Sequence, residues 1–155
     1  MHHRYPYYHT GSFVIHVDFC ADGVLSGRFH FPSDGENGNF SSLMELILKM
    51  EQKLDEYNSP QAFHSIRTFC PPQFLWEDRD SVQKPHSGKV ATFAVNILFR
   101  RNASWQGNLT WLEEGENRHF RSVLELILLM NSALDSKQKQ LPIFKEKNPP
   151  LEWAE

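Results

Sequence analysis

The chain is poor in cysteine: 155 residues contain two, Cys20 and Cys70. A secreted domain of this size usually carries a set of spaced pairs, so both thiols are read as reduced and the protein as cytoplasmic, with a single Cys20–Cys70 bridge as the alternative. No apolar run approaches the length of a membrane span. The residues after Met1 (His2-His3-Arg4-Tyr5-Pro6) lead into no apolar stretch, which argues against a signal peptide. Charge of one sign is also scarce. Sixteen basic and nineteen acidic residues leave a net charge of −3, which argues against a general polyanion binder. No metal-ligand spacing and no nucleophile motif occurs, so neither a metal nor a cofactor is expected. His2, His3 and His9 are read as a frayed end.

What the chain does contain is itself, twice. A shift of 80 positions aligns residues 12–55 with 92–135 without a gap and gives 15 identities in 44 positions. Chance at average composition gives roughly two or three. The identities include Gly27 with Gly107, Gly35-Glu36-Asn37 with Gly115-Glu116-Asn117, Phe40 with Phe120, and Glu45-Leu46-Ile47-Leu48 with Glu125-Leu126-Ile127-Leu128.

Each copy reads as strand, strand, helix. Phe13, Ile15, Val17 and Phe19 alternate with less apolar residues, as do Phe93, Val95, Ile97 and Phe99. Such period-two alternation marks half-buried strands. Leu25, Phe29 and Phe31, and Trp105, Leu109 and Trp111, continue it in a second strand. A three-residue loop, Ala21-Asp22-Gly23, would set Phe19 opposite Leu25 and Val17 opposite Gly27. In the second copy the loop is either Arg101-Asn102-Ala103 or Asn102-Ala103-Ser104. Gly27 and Gly107 fall inside a strand on its buried face. Either a helix or large aromatic packs over them, or a ligand or partner backbone comes close. Polar turns at 33–37 and 113–117 lead into the helices, where Ser42-x-x-Glu45 and Ser122-x-x-Glu125 resemble capping boxes. Positions 40, 43, 44, 47, 50 and 54 trace one apolar helical face, which Leu46 and Leu48 widen. Such helices are expected to touch both the sheet and each other, or to leave Leu48 or Leu128 for a protein partner.

The expected architecture is α+β: a tandem ββα repeat with pseudo-twofold symmetry, forming an antiparallel sheet covered on one face by two helices. The organisation is an N-terminal arm at 1–11, repeat 1 at 12–56, a linker at 57–90, repeat 2 at 91–136 and a C-terminal tail at 137–155, all in one compact domain. Within the linker, Gln61 to Phe69 reads as a short edge strand, Phe74, Leu75 and Trp76 as apolar anchors, and 77–88 as polar and mobile. The tail at 148–153 carries one aromatic anchor, Trp153.

Candidate sites follow from the polar face of the sheet. His16, Asp18, Arg28 and His30 share it in the first copy. A small enzyme would use His16 and His30 there, with Asp18 and Cys20 nearby. The trio His16, Asp18 and His30 has no counterpart in the second copy, and enzymatic activity is not expected. Arg100, Arg101, Arg118, His119 and Arg121 make the second copy locally basic, and Trp105 is placed to stack a nucleobase.

Asn102-Ala103-Ser104-Trp105-Gln106-Gly107 fits N-x-S-x-x-G, which resembles half of the motif of PilZ domains, the cyclic-di-GMP receptors. The resemblance implies ligand contacts from Asn102, Ser104 and Gly107. An upstream R-x-x-x-R segment and a six-stranded barrel, both usual in those domains, are missing from the pattern. The hairpin around Trp105-Gln106-Gly107, followed by Phe120-Arg121-Ser122-Val123-Leu124-Glu125-Leu126-Ile127, is similar to a module of small uncharacterised proteins of anaerobic Gram-positive bacteria. That likeness implies a bacterial accessory protein and no particular activity. The leading expectation is a non-enzymatic binding or regulatory protein, monomer or homodimer, acting through another protein. Nucleic acid and a cyclic dinucleotide are the alternatives, and no membrane is involved.

Overall fold

A computed structural model describes residues 11–33, 35–63, 67–69 and 88–140. The histidine-rich start, Cys70, the anchors Phe74, Leu75 and Trp76, and the tail at 148–153 lie outside them. Eight elements follow in order: β1 (Ser12–Ala21), β2 (Val24–Phe31), β3 (Glu36–Phe40), α1 (Leu43–Tyr57), β4 (Ala91–Phe99), β5 (Gln106–Trp111), β6 (Glu116–Phe120) and α2 (Val123–Gln140). The strands form one antiparallel sheet in the order β3-β2-β1-β4-β5-β6.

Six strands replace the expected four. The polar stretches read as turns before the helices are hairpin turns that lead into β3 and β6. Both strands are polar except for their final phenylalanine, so they carry little alternation. Phe40 and Phe120 end these strands opposite Gly27 and Gly107 and are buried. That explains why each lies two residues before a helix cap.

The helices begin where the capping boxes place them. Ser42 Oγ accepts from the Glu45 N–H at 3.1 Å, and Ser122 Oγ from the Glu125 N–H at 3.1 Å. The Glu45 carboxylate reaches back to Ser41, accepting from its N–H at 3.0 Å and its hydroxyl at 2.7 Å. Orphan donors of the first turn are thereby satisfied. Helix α2 runs to Gln140, beyond the boundary expected at 136.

Leu46, Met50 and Leu54 of α1 join Leu126, Met130, Ala133 and Leu134 of α2 in a single core. Its sheet side is formed by Phe13, Ile15, Val17, Phe29, Phe31, Phe93, Val95 and Ile97. The buried helical face is turned from the expected one. Lys49 and Lys53 are buried on it, while Met44 and Leu48 point to solvent. A buried ammonium needs partners. Lys49 Nζ donates to the Asn39 carbonyl at 2.9 Å and pairs with Glu45 at 2.8 Å. Lys53 pairs with Glu36 and Glu56 and lies over the rings of Phe31 and Tyr57. Each helix packs mainly on its own hairpins, α1 over β2 and β3, α2 over β5 and β6.

Both long hairpins close in two residues rather than three. Asp22 and Gly23 have φ of 52° and 75°, and Asn102 and Ala103 have φ of 55° and 53°. Positive φ at both central positions is the type I′ pattern, whose twist suits paired strands. A bulge makes up the missing residue. Val17 pairs with Gly27 as expected, but Phe19 then pairs with Ser26, which skips Asp18. Ile97 pairs with Gly107 and Phe99 with Gln106, which skips Leu98. Beyond each bulge the alternation inverts, so Phe19 and Phe99 leave the core and are about half exposed.

The same bulges account for the two strand glycines. A Cβ on Gly27 would lie 1.9 Å from the His16 carbonyl oxygen, and one on Gly107 would lie 1.8 Å from that of Asn96. The close neighbour is the adjacent strand's own backbone, while Phe40 and Phe120 stand opposite on the other neighbouring strand. The edge strand expected over 61–69 reduces, among the described residues, to one parallel bridge between Ala62 and Arg100.

Candidate functional site

The helix-free face of the sheet carries the polar candidates in cross-strand rows. One row runs Asn37, His30, Val14, Ala94, Thr110, Asn117. Beside it lie Asn39, Arg28, His16 and Thr92, and on the other side Ser12, Asn96, Asn108 and His119. His16 and His30 are thus diagonal neighbours on adjacent strands. The centre of this face is closed rather than solvated: Ser12, Val14, His16 and Thr92 are all buried, His16 to 4 % exposure.

His16 is the odd member. Neither ring nitrogen has a hydrogen-bond partner among the described residues. Burial, reinforced by the Arg28 guanidinium, drops its pKa to about 4, against a weaker opposing pull from Asp18. Its neighbours are committed elsewhere. Arg28 donates to both Asp18 oxygens, at 2.9 and 3.2 Å, and Asp18 also accepts from the Lys89 N–H at 3.2 Å. The bond from Arg28 holds the Asp18 carboxyl below the usual range. His30 Nδ1 lies 2.5 Å from Asn37 Oδ1. None of these bonds joins His16, Asp18 and His30 to one another. Among the described residues, no group of three His, Cys, Asp or Glu side chains could hold a metal ion.

The β4–β5 turn receives the other candidates, and most have structural duties. Beyond the Leu98 bulge, Arg100 points to the helix side and is buried. Its guanidinium donates to the Pro60 carbonyl at 2.6 Å, to Asp55 at 2.5 Å and to Glu51 at 3.2 Å. Trp105 is buried beside it, with its indole N–H on the other Glu51 oxygen at 2.5 Å. Arg100 and Trp105 therefore clamp the second half of α1, and neither presents a surface to a nucleobase. Asn102 is a turn residue. Ser104 Oγ accepts from the Val123 N–H at 2.9 Å at the start of α2. Gly107 lies under the bulge. The geometry gives the three residues of the PilZ-like motif a turn, a helix-start contact and a close backbone approach.

Arg101 differs from them. It is exposed, and its guanidinium lies over the rings of Phe99 at 4.9 Å and Phe63 at 5.8 Å. Arg118 pairs with Glu116 and Arg121 with Glu125, both on the surface.

The sequence pattern did not single out Met44 and Leu124 as surface residues, yet they are the most exposed apolar side chains of the helices, at 74 and 65 %. One turn on, Leu48 and Leu128 are also exposed. Their position one step outside the Leu46–Met50 and Leu126–Met130 stripes is the signal that locates them. No described helix is long and apolar enough to cross a membrane. Compared with protein-family profiles, curated proteins and solved structures, the chain matches none.

Proposed function

We propose that this chain is a non-enzymatic cytoplasmic binding protein, built from two fused copies of one unit, that acts through a protein partner. The observation that carries the reading is the matched pair of exposed apolar doublets, Met44 and Leu48 on α1 and Leu124 and Leu128 on α2. Each doublet has i, i+4 spacing, so its two side chains are neighbours on one helical face.

Support for the duplicated unit comes from register. Phe13 pairs with Val95 and Ile15 with Phe93 about a centre at Val14 and Ala94, as a local twofold requires. Arg100 faces Asp55 from one side, and Cys20, 80 positions before Arg100, feels the charge of Asp135, 80 positions after Asp55. A twofold module offers one partner two similar helical faces, or two partners one each.

Full burial of four such side chains yields about 6–12 kcal/mol gross. Association costs roughly 4–15 kcal/mol, so the four side chains alone reach about micromolar affinity only at the favourable end of both ranges, and polar contacts at the rim are needed to supply the rest. The test is a photoreactive benzoylphenylalanine placed at Leu48 or Leu128, with Arg118 as control, in cells of the native host. A discrete adduct to another protein at 48 and 128, and none at 118, is expected. No adduct at either helical position overturns the reading.

A further inference from the structure

We infer that the β4–β5 turn is a docking surface for a peptide segment of a partner protein in which a carboxylate stands next to a large apolar side chain. The surface is separate from the helical doublets. The Leu98 bulge creates it by turning Phe99 out of the core and leaving Leu98 partly exposed beside it. Phe63 is brought alongside by its N–H, which donates to the Arg100 carbonyl at 3.4 Å. The result is a small apolar platform of Leu98, Phe99 and Phe63, in which Phe63 is 63 % exposed.

Arg101 lies over that platform with its guanidinium carbon 4.9 Å from the Phe99 ring centroid and 5.8 Å from that of Phe63. Arg28, Arg100, Arg118 and Arg121 each hold a carboxylate. No acidic side chain of the described residues pairs with Arg101. Stacking uses the face of a guanidinium and leaves its edge donors free for a planar, bidentate acceptor.

The backbone beneath is held in place. Gln106 accepts from the Arg101 N–H at 2.9 Å and donates to its carbonyl at 2.8 Å. The turn keeps Ala103 at φ 53°, a left-handed position that its counterpart in the first hairpin gives to Gly23. Residues held in such sparsely populated backbone regions cluster at ligand clamps and switch regions. An arginine between exposed aromatics is also the composition of an interface hot spot. A carboxylate suits this site better than a nucleic-acid strand. Arg100 is consumed by α1, so Arg101 is the one guanidinium of this turn that pairs with no carboxylate of the described residues, in a chain of net charge −3. A phosphate backbone asks for a row of cations.

The experiment pans a random heptapeptide display library on the full chain. Recovered peptides are then measured by fluorescence anisotropy against Arg101→Gln, Arg101→Lys and Phe63→Ser, each checked by thermal melting. A fluorescein-labelled twenty-nucleotide oligo(dT) is run in parallel. The expected result is enrichment of Asp or Glu beside Trp, Phe or Leu. Affinity should fall at least tenfold in Arg101→Gln and less in Arg101→Lys. Phe63→Ser, which leaves the turn untouched, should weaken the same peptides. No enrichment, enrichment without an acidic preference, or unchanged affinity in Arg101→Gln overturns the inference. So does oligo(dT) binding that requires Arg101, which would assign the surface to nucleic acid. Failure here leaves the helical cross-links of the preceding test as they stand, so the two results separate.

Discussion

His16 makes the acid sensitivity of the fold calculable. Above pH 6.5 its ring is neutral in both the folded and the unfolded chain, and stability does not respond to it. Between 6.5 and about 4 the unfolded chain takes up a proton that the folded chain refuses, because burial and Arg28 oppose the charge. Stability therefore falls as acid is added across that window, and the loss is complete below about pH 4. A drop from 6.5 to about 4 corresponds to at most about 3 kcal/mol, which screening at the part-exposed Asp18–Arg28 pair trims to about 2. Glu45 acts in a separate window. Held at about 2 mainly by Lys49 and then by Ser41, it gives up stability only as the pH falls from about 4.5 toward 2. The assay is urea unfolding of the wild type and of His16→Leu at half-unit steps from pH 7.5 to 4.5. Because both ring nitrogens lack partners, His16→Leu should be at least as stable at pH 7.5, with a gain of about 1 kcal/mol. The two curves should then diverge in acid by about 2 kcal/mol at an unchanged m value. Parallel curves, or a loss of stability at pH 7.5, would refute the reasoning.

The remaining predictions concern what holds the sheet and helices together. Gly27→Ala and Gly107→Ala each force a Cβ against a neighbouring carbonyl oxygen and should cost about 2–3 kcal/mol by denaturant melts; a cost below 0.5 would mean that the bulge relaxes freely. Glu51→Ala removes the acceptor shared by Arg100 and Trp105, but Asp55 remains, so a loss of about 2 kcal/mol is expected, with Trp105 fluorescence shifted to the red in the folded state. Ser42→Ala and Ser122→Ala should each cost about 1 kcal/mol, and the double variant the sum, since the two caps share no partner.

The alternation of Phe13 to Val17 and of Phe93 to Ile97, continued by Leu25, Phe29 and Phe31 and by Leu109 and Trp111, made four strands legible, because a face packed by helices demands period two. It misled at Phe19 and Phe99, where a single skipped residue reverses every later side chain. Nothing in composition announces a bulge except the glycine opposite, and Gly27 and Gly107 admit several explanations until the carbonyl above them is located. The third strands were hidden for another reason. Glu36–Phe40 and Glu116–Phe120 are edge strands, stabilised by a ladder and one terminal ring, and such polar segments look like turns. The helix starts were legible from serine and glutamate spacing. The helical face was not, because Lys49 and Lys53 take core positions by virtue of partners on the preceding edge strand, Asn39 and Glu36, and one helical turn away, Glu45 and Glu56. Among the site candidates, residue type identified arginine and tryptophan at the β4–β5 turn. Only the positions of Glu51, Asp55 and Pro60 separate Arg100, which is structural, from Arg101, which pairs with no carboxylate of the described residues.

The clamp on α1 also bears on how the nascent chain matures. Glu51 emerges from the ribosome 49 residues ahead of Arg100 and 54 ahead of Trp105. Until that later turn is synthesised, the second half of α1 has no lid over its acidic side, and a released first half ends in an unmatched carboxylate pair. Closure of the clamp joins residues 49 and 54 positions apart, a non-local contact of the kind that forms slowly. The acidic side of α1 is thereby completed only by side chains of the second half.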